Sequence, residues 1–467
     1  MTEKKEGMEF MKLPFKGRRG SYEIDMTNGP LLGKIVRFAI PLALAGILQL
    51  LFNAADIVVA GRFAGSQALA AVGSTGALNM LIVNLFMGLS VGVNVLVARF
   101  YGGQSFRDLK ETVHTAILTA LVCGVLLVFV GAGLSRPLLT LMGTPADVID
   151  QSVLYMRIVF AGMPAMMLYN FGAAILRAVG DTQRPLYFLL ISGVINVILN
   201  LFCVIALRMG VAGVAVATVV SQCISAVLVI LCLIRSNAPY QLDLKALRIH
   251  KGKLLQMTKI GVPAGIQGAM FSLSNVVIQS TVNSFGSIAM AGGTAAGNIE
   301  GFVFTAEDAF AQAALSFTGQ NYGAKKFSRI NKVLLDCILL VSSVGIVLGG
   351  TVYLLSKPLL GIYSTDPQVV EYGTQRMFMV ALPHFICGAM GVFTGVLRGL
   401  GSSVTPMLIT VFGTCVLRVA WVYTIFPLNP TWQMLFLSYP ISWLVTGLIQ
   451  FAAFLFVKKR ATARAAE

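Results

Sequence analysis

The chain has 467 residues, of which 57% are hydrophobic and only 12% charged, with a formal net charge of +16. Its mean hydropathy is +0.81. A soluble fold needs far more charge to cover its surface, so composition excludes an ordinary soluble domain and points to an all-α integral membrane protein.

Residues 1–30 are polar and basic, with Lys4, Lys5, Lys12, Lys16, Arg18 and Arg19, and are expected to form a cytoplasmic tail. Nothing in them has the form of a cleavable signal peptide, so the first apolar run is expected to stay as an anchor. Runs long enough to cross a bilayer then recur along the chain. Six are expected over residues 33–61, 68–98, 112–134, 148–176, 185–207 and 211–234. Six more follow over 254–284, 289–318, 331–355, 368–397, 404–426 and 432–457. Pro137, Gly180, Pro185, Pro358, Gly401 and Pro406 punctuate their ends. Pro41, Pro164, Pro263 and Pro383 fall within spans, where a missing N–H and the ring predict kinks.

The loops set an expected orientation. Arg107 and Lys110 lie in the second loop, Arg177 and Arg184 in the fourth, Lys325, Lys326 and Arg329 in the eighth. The sixth loop carries Arg235, Lys245, Arg248, Lys251 and Lys253, and the C-terminus Lys458, Lys459 and Arg460. Odd-numbered loops are poor in Lys and Arg, so the basic loops and both termini are expected in the cytoplasm. Because the basic residues are accounted for in this way, and no basic patch is interleaved with aromatic residues, no nucleic-acid partner is expected. The seven cysteines contain no CxxC and sit in apolar runs, as packing residues do.

An internal repeat organises the spans. Leu134-Ser135-Arg136-Pro137-Leu138-Leu139 matches Leu355-Ser356-Lys357-Pro358-Leu359-Leu360 at an offset of 221 residues (358 − 137). The same offset relates Tyr101-Gly102 to Tyr322-Gly323 and Arg177 to Arg398, while Pro41 and Pro263 are one residue further apart. Two six-helix lobes are expected, residues 31–234 and 254–457, joined by a cytoplasmic linker over 235–253 and followed by a tail over 458–467. An even number of helices per repeat gives both lobes the same orientation, related by a pseudo-two-fold along the membrane normal. Transporters built this way bind substrate between the repeats.

Several stretches carry a family resemblance. They are Pro41 through Gly65, including Asp56-Ile57-Val58-Val59-Ala60-Gly61-Arg62; Leu176-Arg177-Ala178-Val179-Gly180-Asp181-Thr182-Gln183-Arg184-Pro185; Asn196-Val197-Ile198-Leu199-Asn200; Gly210 through Thr218; and Gln320-Asn321-Tyr322-Gly323-Ala324. In this order, on a duplicated chain, they resemble the multidrug and toxic compound extrusion (MATE) family, over residues 30–457. The resemblance implies two lobes around a central cleft. It also implies export of cationic amphipathic compounds in exchange for protons or sodium. No Walker A sequence is present, so nothing in the chain supports ATP coupling, and no cofactor or catalytic residue is expected.

A charged group in a span is costly and a functional candidate. Asp56 lies toward the outer end of the first span, where it either faces water at a helix end or exchanges a proton with a cationic drug. Asn196 and Asn200 are four apart on one helical face, and Thr218 lies in the sixth span. In the family, the matching positions form a polar cluster with the first-helix carboxylate. Asn200 stands where relatives often have aspartate, which leaves one acid. The oxygens of Asp56, Asn196, Asn200 and Thr218 would also suit a monovalent cation such as sodium. Interhelical hydrogen bonding alone would equally explain the two asparagines.

In the second half, Glu300, Glu307 and Asp308 lie in the eighth span. Some relatives place cation-binding acids in the seventh and tenth spans. Here those spans have Asn275 and Gln279, and Arg376 and His384. The eighth-span acids are expected to line the cleft and meet a drug's positive charge, with Arg418 of the eleventh span as an ion-pair partner for one of them. Mutual neutralisation between helices is the competing reading. His384 reads first as a packing residue. The expected protein is a monomer in a prokaryotic inner membrane, with small cationic substrates, a coupling proton or sodium ion and membrane lipid as partners. A flippase for a lipid-linked precursor is the alternative, kept open by Arg376 and Arg418.

Overall fold

The computed structural model describes residues 22–466. The basic tail positions from Lys4 to Arg19 lie outside the described residues. Each expected span is helical, in chain order. The first half contains α1 (Leu32–Val59), α2 (Ser66–Gly102), α3 (Phe106–Leu141), α4 (Ile149–Ala161), α5 (Met163–Ala178), α6 (Gln183–Leu201) and α7 (Val211–Ile234). The second half contains α8 (Lys251–Asn283), α9 (Ser287–Gly323), α10 (Phe327–Leu354), α11 (Ser356–Gly361), α12 (Pro367–Met379), α13 (His384–Gly399), α14 (Val404–Thr410), α15 (Leu417–Thr424) and α16 (Trp432–Ala466).

Among the described residues, nine stretches are long and apolar enough to cross a membrane, and eleven if each of two bent pairs is one span. The twelfth expected span is α9, whose small residues and three acids lower its hydropathy. The bent pairs are α4–α5, at 46°, and α12–α13, at 47°. Pro164 sits in the first turn of α5 and Pro383 immediately precedes α13, so both bends have the expected cause. Pro41 and Pro263 lie inside continuous helices.

The surface is the reverse of a soluble protein's. Phe129, Leu141, Leu354 and Phe456 are more than two-thirds exposed, whereas Asn200, Asn321, Thr414 and Gln450 are wholly buried. Lipid solvates the former, while the latter find partners only inside the bundle.

The two halves interlock through α1 and α8. The first turns of α1, with Ile35, Phe38 and Ala39, pack on Phe310, Phe317, Val333 and Val396 of the second half. Its far end returns to the first half, where Phe52 fills the space left by Gly193 of α6. Helix α8 mirrors this. Met257 and Ile260 belong to the core of the first half, and Ile278 and Val282 to that of the second. Backbones touch where Gly88 of α2 meets Gly261 and Gly265 of α8, and any Cβ there would strike main chain. Such small-residue contacts are how helices approach closely in lipid.

The contacts between the halves lie toward one face, where the described chain begins and ends, with Ile24 and Met26 near Phe454 and Ala461. The outermost hydrogen bond between the halves is Asn84 to Ser272, at 3.4 Å, and Gly46 packs on Thr305 at a similar depth. Among the described residues, no hydrogen bond or ion pair joins the halves beyond that level, toward the opposite face. An extended strap, residues 22–31, closes the termini face. Tyr101 and Tyr240 donate to Glu23 at 2.8 and 2.7 Å, and the Ile24 N–H donates to Gly180. From the second half, Asn321 donates to the Met26 carbonyl at 3.1 Å and Lys326 to the Thr27 carbonyl at 3.0 Å.

Candidate functional site

Three elements of the first half assemble a polar site. Helix α1 supplies Asp56 one turn before its end, α6 supplies Asn196 and Asn200, and α7 supplies Thr218. Asn200 Nδ2 donates to Asp56 Oδ1 at 2.5 Å and lies 3.2 Å from Asn196 Oδ1. The Thr218 hydroxyl lies 3.3 Å from Asp56 Oδ2 and 2.9 Å from the Val214 carbonyl. The four residues named from the sequence thus meet at one point. Asn196 and Asn200 are buried, Asp56 is half-buried, and the Asn200 Oδ1 is buried without a partner.

Local backbone explains how α1 and α6 aim these groups at each other. Each helix widens into a π-helical turn just past the site, Ala60–Ala64 after Asp56 and Phe202–Ala206 after Asn200. A π turn inserts a residue and rotates the helix face, and such turns recur at functional sites. Sequence reasoning missed Tyr155 of α4, which is close enough to feel the Asp56 charge. Its aliphatic neighbourhood, with Ala64 and Val72 around it, gave no signal in one dimension.

Among the described residues, Asp56 has only neutral partners. Two donors can hold the carboxylate, and its protonation breaks no ion pair. The oxygens of Asp56, Asn196, Asn200 and Thr218 form a donor set fit for a proton or a small hard cation.

The second half is arranged differently. Glu300, 5% exposed, forms a two-pronged ion pair with Arg376, whose Nη2 lies 2.8 Å and Nε 3.2 Å from Glu300 Oε2. The Arg376 guanidinium also stacks on Phe436 at 4.8 Å. Glu307, 1% exposed, meets His384 Nδ1 at 2.7 Å. Neither acid therefore lines the cleft as expected, because each has found a partner inside the half. Arg418 pairs with neither. It donates to Ser442 at 2.9 Å and stacks on Tyr439 and Trp443, fully buried. Only Asp308 is exposed, at the depth where the halves meet, with Arg398 and Arg177 acting on it. Those two arginines are the repeat-related pair of the LR motifs.

A duplicated helical bundle with a half-buried acid among polar groups inside its spans is the architecture of a membrane transporter. The MatE family model matches twice, over residues 41–202 and 263–424, and the chain belongs to this family. The chain is 30% identical over 436 residues to a probable multidrug resistance protein, YoeA, of Bacillus subtilis, covering 91% of this chain and 93% of that one. It is 25% identical to an FAD transporter of Shewanella oneidensis, over 84% and 86% of the two chains. A solved multidrug resistance MATE transporter in an outward-facing conformation superposes with a TM-score of 0.87 at 21% identity, over 95% and 98% of the chains. That likeness establishes the fold, and the two family matches, 222 residues apart (263 − 41), establish the duplication.

Proposed function

We propose that the protein exports cationic amphipathic small molecules in exchange for a proton or sodium ion, by alternating access of its two halves. The observation that carries this reading is Asp56, an acid inside the membrane whose hydrogen-bond partners are neutral. Such a group can release its ion when a cationic drug or the opposite membrane face competes for its charge. The names of the drug-resistance relatives support the substrate class.

We further propose lobes over residues 31–234 and 254–457 with 235–253 as linker. The chain then sits in a prokaryotic inner membrane with both termini cytoplasmic, surrounded by lipid, and works as a monomer. The basic residues of the even loops support that orientation. The flippase reading gains support from one observation, the two arginines, Arg177 and Arg398, whose charges act on Asp308 and which would suit an anionic headgroup.

Ethidium flux in proteoliposomes, driven by an imposed pH gradient and then by a sodium gradient, tests the exchange. Flux with one of them is expected and names the ion. Folded protein inert to both gradients would reject the exchanger and favour the flippase.

A further inference from the structure

Helix α9 turns Glu307 away from the cleft into a chamber that the neighbouring helices leave open for it. A Cβ at Gly388 of α13 would come within 2.9 Å of the Glu307 carboxylate, and one at Gly345 of α10 would overlap its other oxygen. Two glycines on two helices thus make room for one side chain. His384, at the start of α13, closes the chamber. Its ring packs edge-on against Trp443 at 5.2 Å and Phe304 at 6.3 Å, so the imidazole is held in apolar surroundings. Glu307 Oε2 takes the imidazole contact, while Oε1 is buried with no hydrogen-bond partner. A buried, unpartnered carboxylate oxygen is a costly feature that a purely structural ion pair does not need.

The chamber is not sealed. A small pocket lined by Phe304, Glu307, Asp308, Ala311, Gly388 and Gly391 joins it to the cleft floor, where Phe304 and Asp308 are exposed.

We propose that Glu307 and His384 form a second proton-binding site, which exchanges its proton with the cleft through the pocket beside Asp308. The proposal rests on the reading of the protein as an ion-driven exporter. With the proton on His384 Nδ1 and Glu307 ionised, the pair carries one negative charge. Adding one proton from cleft water gives a neutral pair of imidazolium and carboxylate, and its release restores the first state.

The charged surroundings suit that cycle. On α9 itself, Glu300 is already neutralised by Arg376 of α12, and Asp308 faces the cleft. On α13, Cys387 lies near Glu307, and Arg398 acts on the neighbouring Asp308. From α10 the nearest titratable groups, Asp336 and Cys337, lie about two turns from Gly345. On α15 and α16, Arg418 stacks on the same Trp443 that covers His384, and Tyr439 lies beyond it. Arg418 therefore offsets the negative charge of the empty pair without contacting it. The site provides, through different residues, a proton carrier in the half that lacks a counterpart of Asp56.

The test counts protons per dye molecule. Full-length protein in proteoliposomes is poised against opposing pH and ethidium gradients until net flux vanishes, which gives the exchange ratio. Glu307→Gln is expected to lower the ratio by one proton relative to wild type, and His384→Gln to do the same. Infrared difference spectra of the detergent-solubilised protein between acidic and neutral pH provide a second readout that needs no transport. His384→Gln should remove one imidazolium band. An unchanged ratio and unchanged spectra in either folded variant would overturn the proposal while leaving the exporter reading intact, provided Asp56→Asn still uncouples. Wild type driven by sodium but not by the pH gradient would overturn the proton site alone, and wild type inert to both gradients would overturn both.

Discussion

Asp56 in the first half meets an amide and a hydroxyl, both neutral. Moving 222 residues along the chain, the displacement between the two family matches, brings Ile278 to the place of Asp56 and Arg418 to the place of Asn196. The pseudo-equivalent region therefore holds a cation and no acid, and the acids of the second half stand on α9, tied to Arg376 and His384. One fold, duplicated, thus carries two electrostatic designs. An acid with neutral partners can change its charge at little structural cost. An acid held by a buried arginine, as Glu300 is by Arg376, cannot, because losing either charge strands the other.

The comparison predicts a gradient of effects. The largest is on transport: Asp56→Asn should abolish gradient-driven ethidium flux, while the variant elutes as a monodisperse protein and unfolds near the wild-type temperature. Flux above a tenth of wild type would remove Asp56 from the coupling site. Next, breaking the Glu300–Arg376 pair should act on stability. Arg376→Met leaves a buried carboxylate and should cost about 3–5 kcal/mol, seen as a large drop in Tm in detergent. The double variant Glu300→Leu with Arg376→Met should recover most of it, and failure to recover would mean the pair does more than satisfy itself.

Gly265→Val should come third. The added side chain strikes the Leu85 backbone across the α2–α8 contact, and overpacking of this kind costs about 1–3 kcal/mol. Cysteine cross-linking between residues 84 and 272 should also fall. Thr218→Ala should have a smaller effect, removing one neutral hydrogen bond worth about 1 kcal/mol. A few-fold higher ion concentration for half-maximal flux, with the maximum retained, is the expected outcome. The smallest is Arg107→Ala, which removes an exposed pair with Glu111 and should leave Tm within a degree.

The order and extent of the spans were legible, because spanning length and apolarity are properties of contiguous residues. The cluster of Asp56, Asn196, Asn200 and Thr218 was expected from the resemblance to the MATE family, since spacing alone places only Asn196 and Asn200 on one helical face. The partners of the α9 acids were not. Glu307 and His384 are 77 residues apart, and no periodicity links a side chain on one helix to another two helices away. The exchange of α1 and α8 between halves was hidden for the same reason. One signal was available: Gly88 and Gly92 of α2 face Gly261 and Gly265 of α8, two pairs at a spacing of four, as close helix contacts require. The strap over residues 22–31 reads as a polar tail until its carbonyls are seen satisfying Asn321, Lys326 and Arg329.

Asp56 carries the account, so the most direct test compares wild type and Asp56→Asn in the same proteoliposome preparation, with ethidium efflux followed as one ion gradient is imposed at a time. Gradient-driven efflux by wild type with none by the variant, at equal ethidium binding, is the predicted result. Equal gradient-driven efflux by both would contradict the assignment of coupling to the first half.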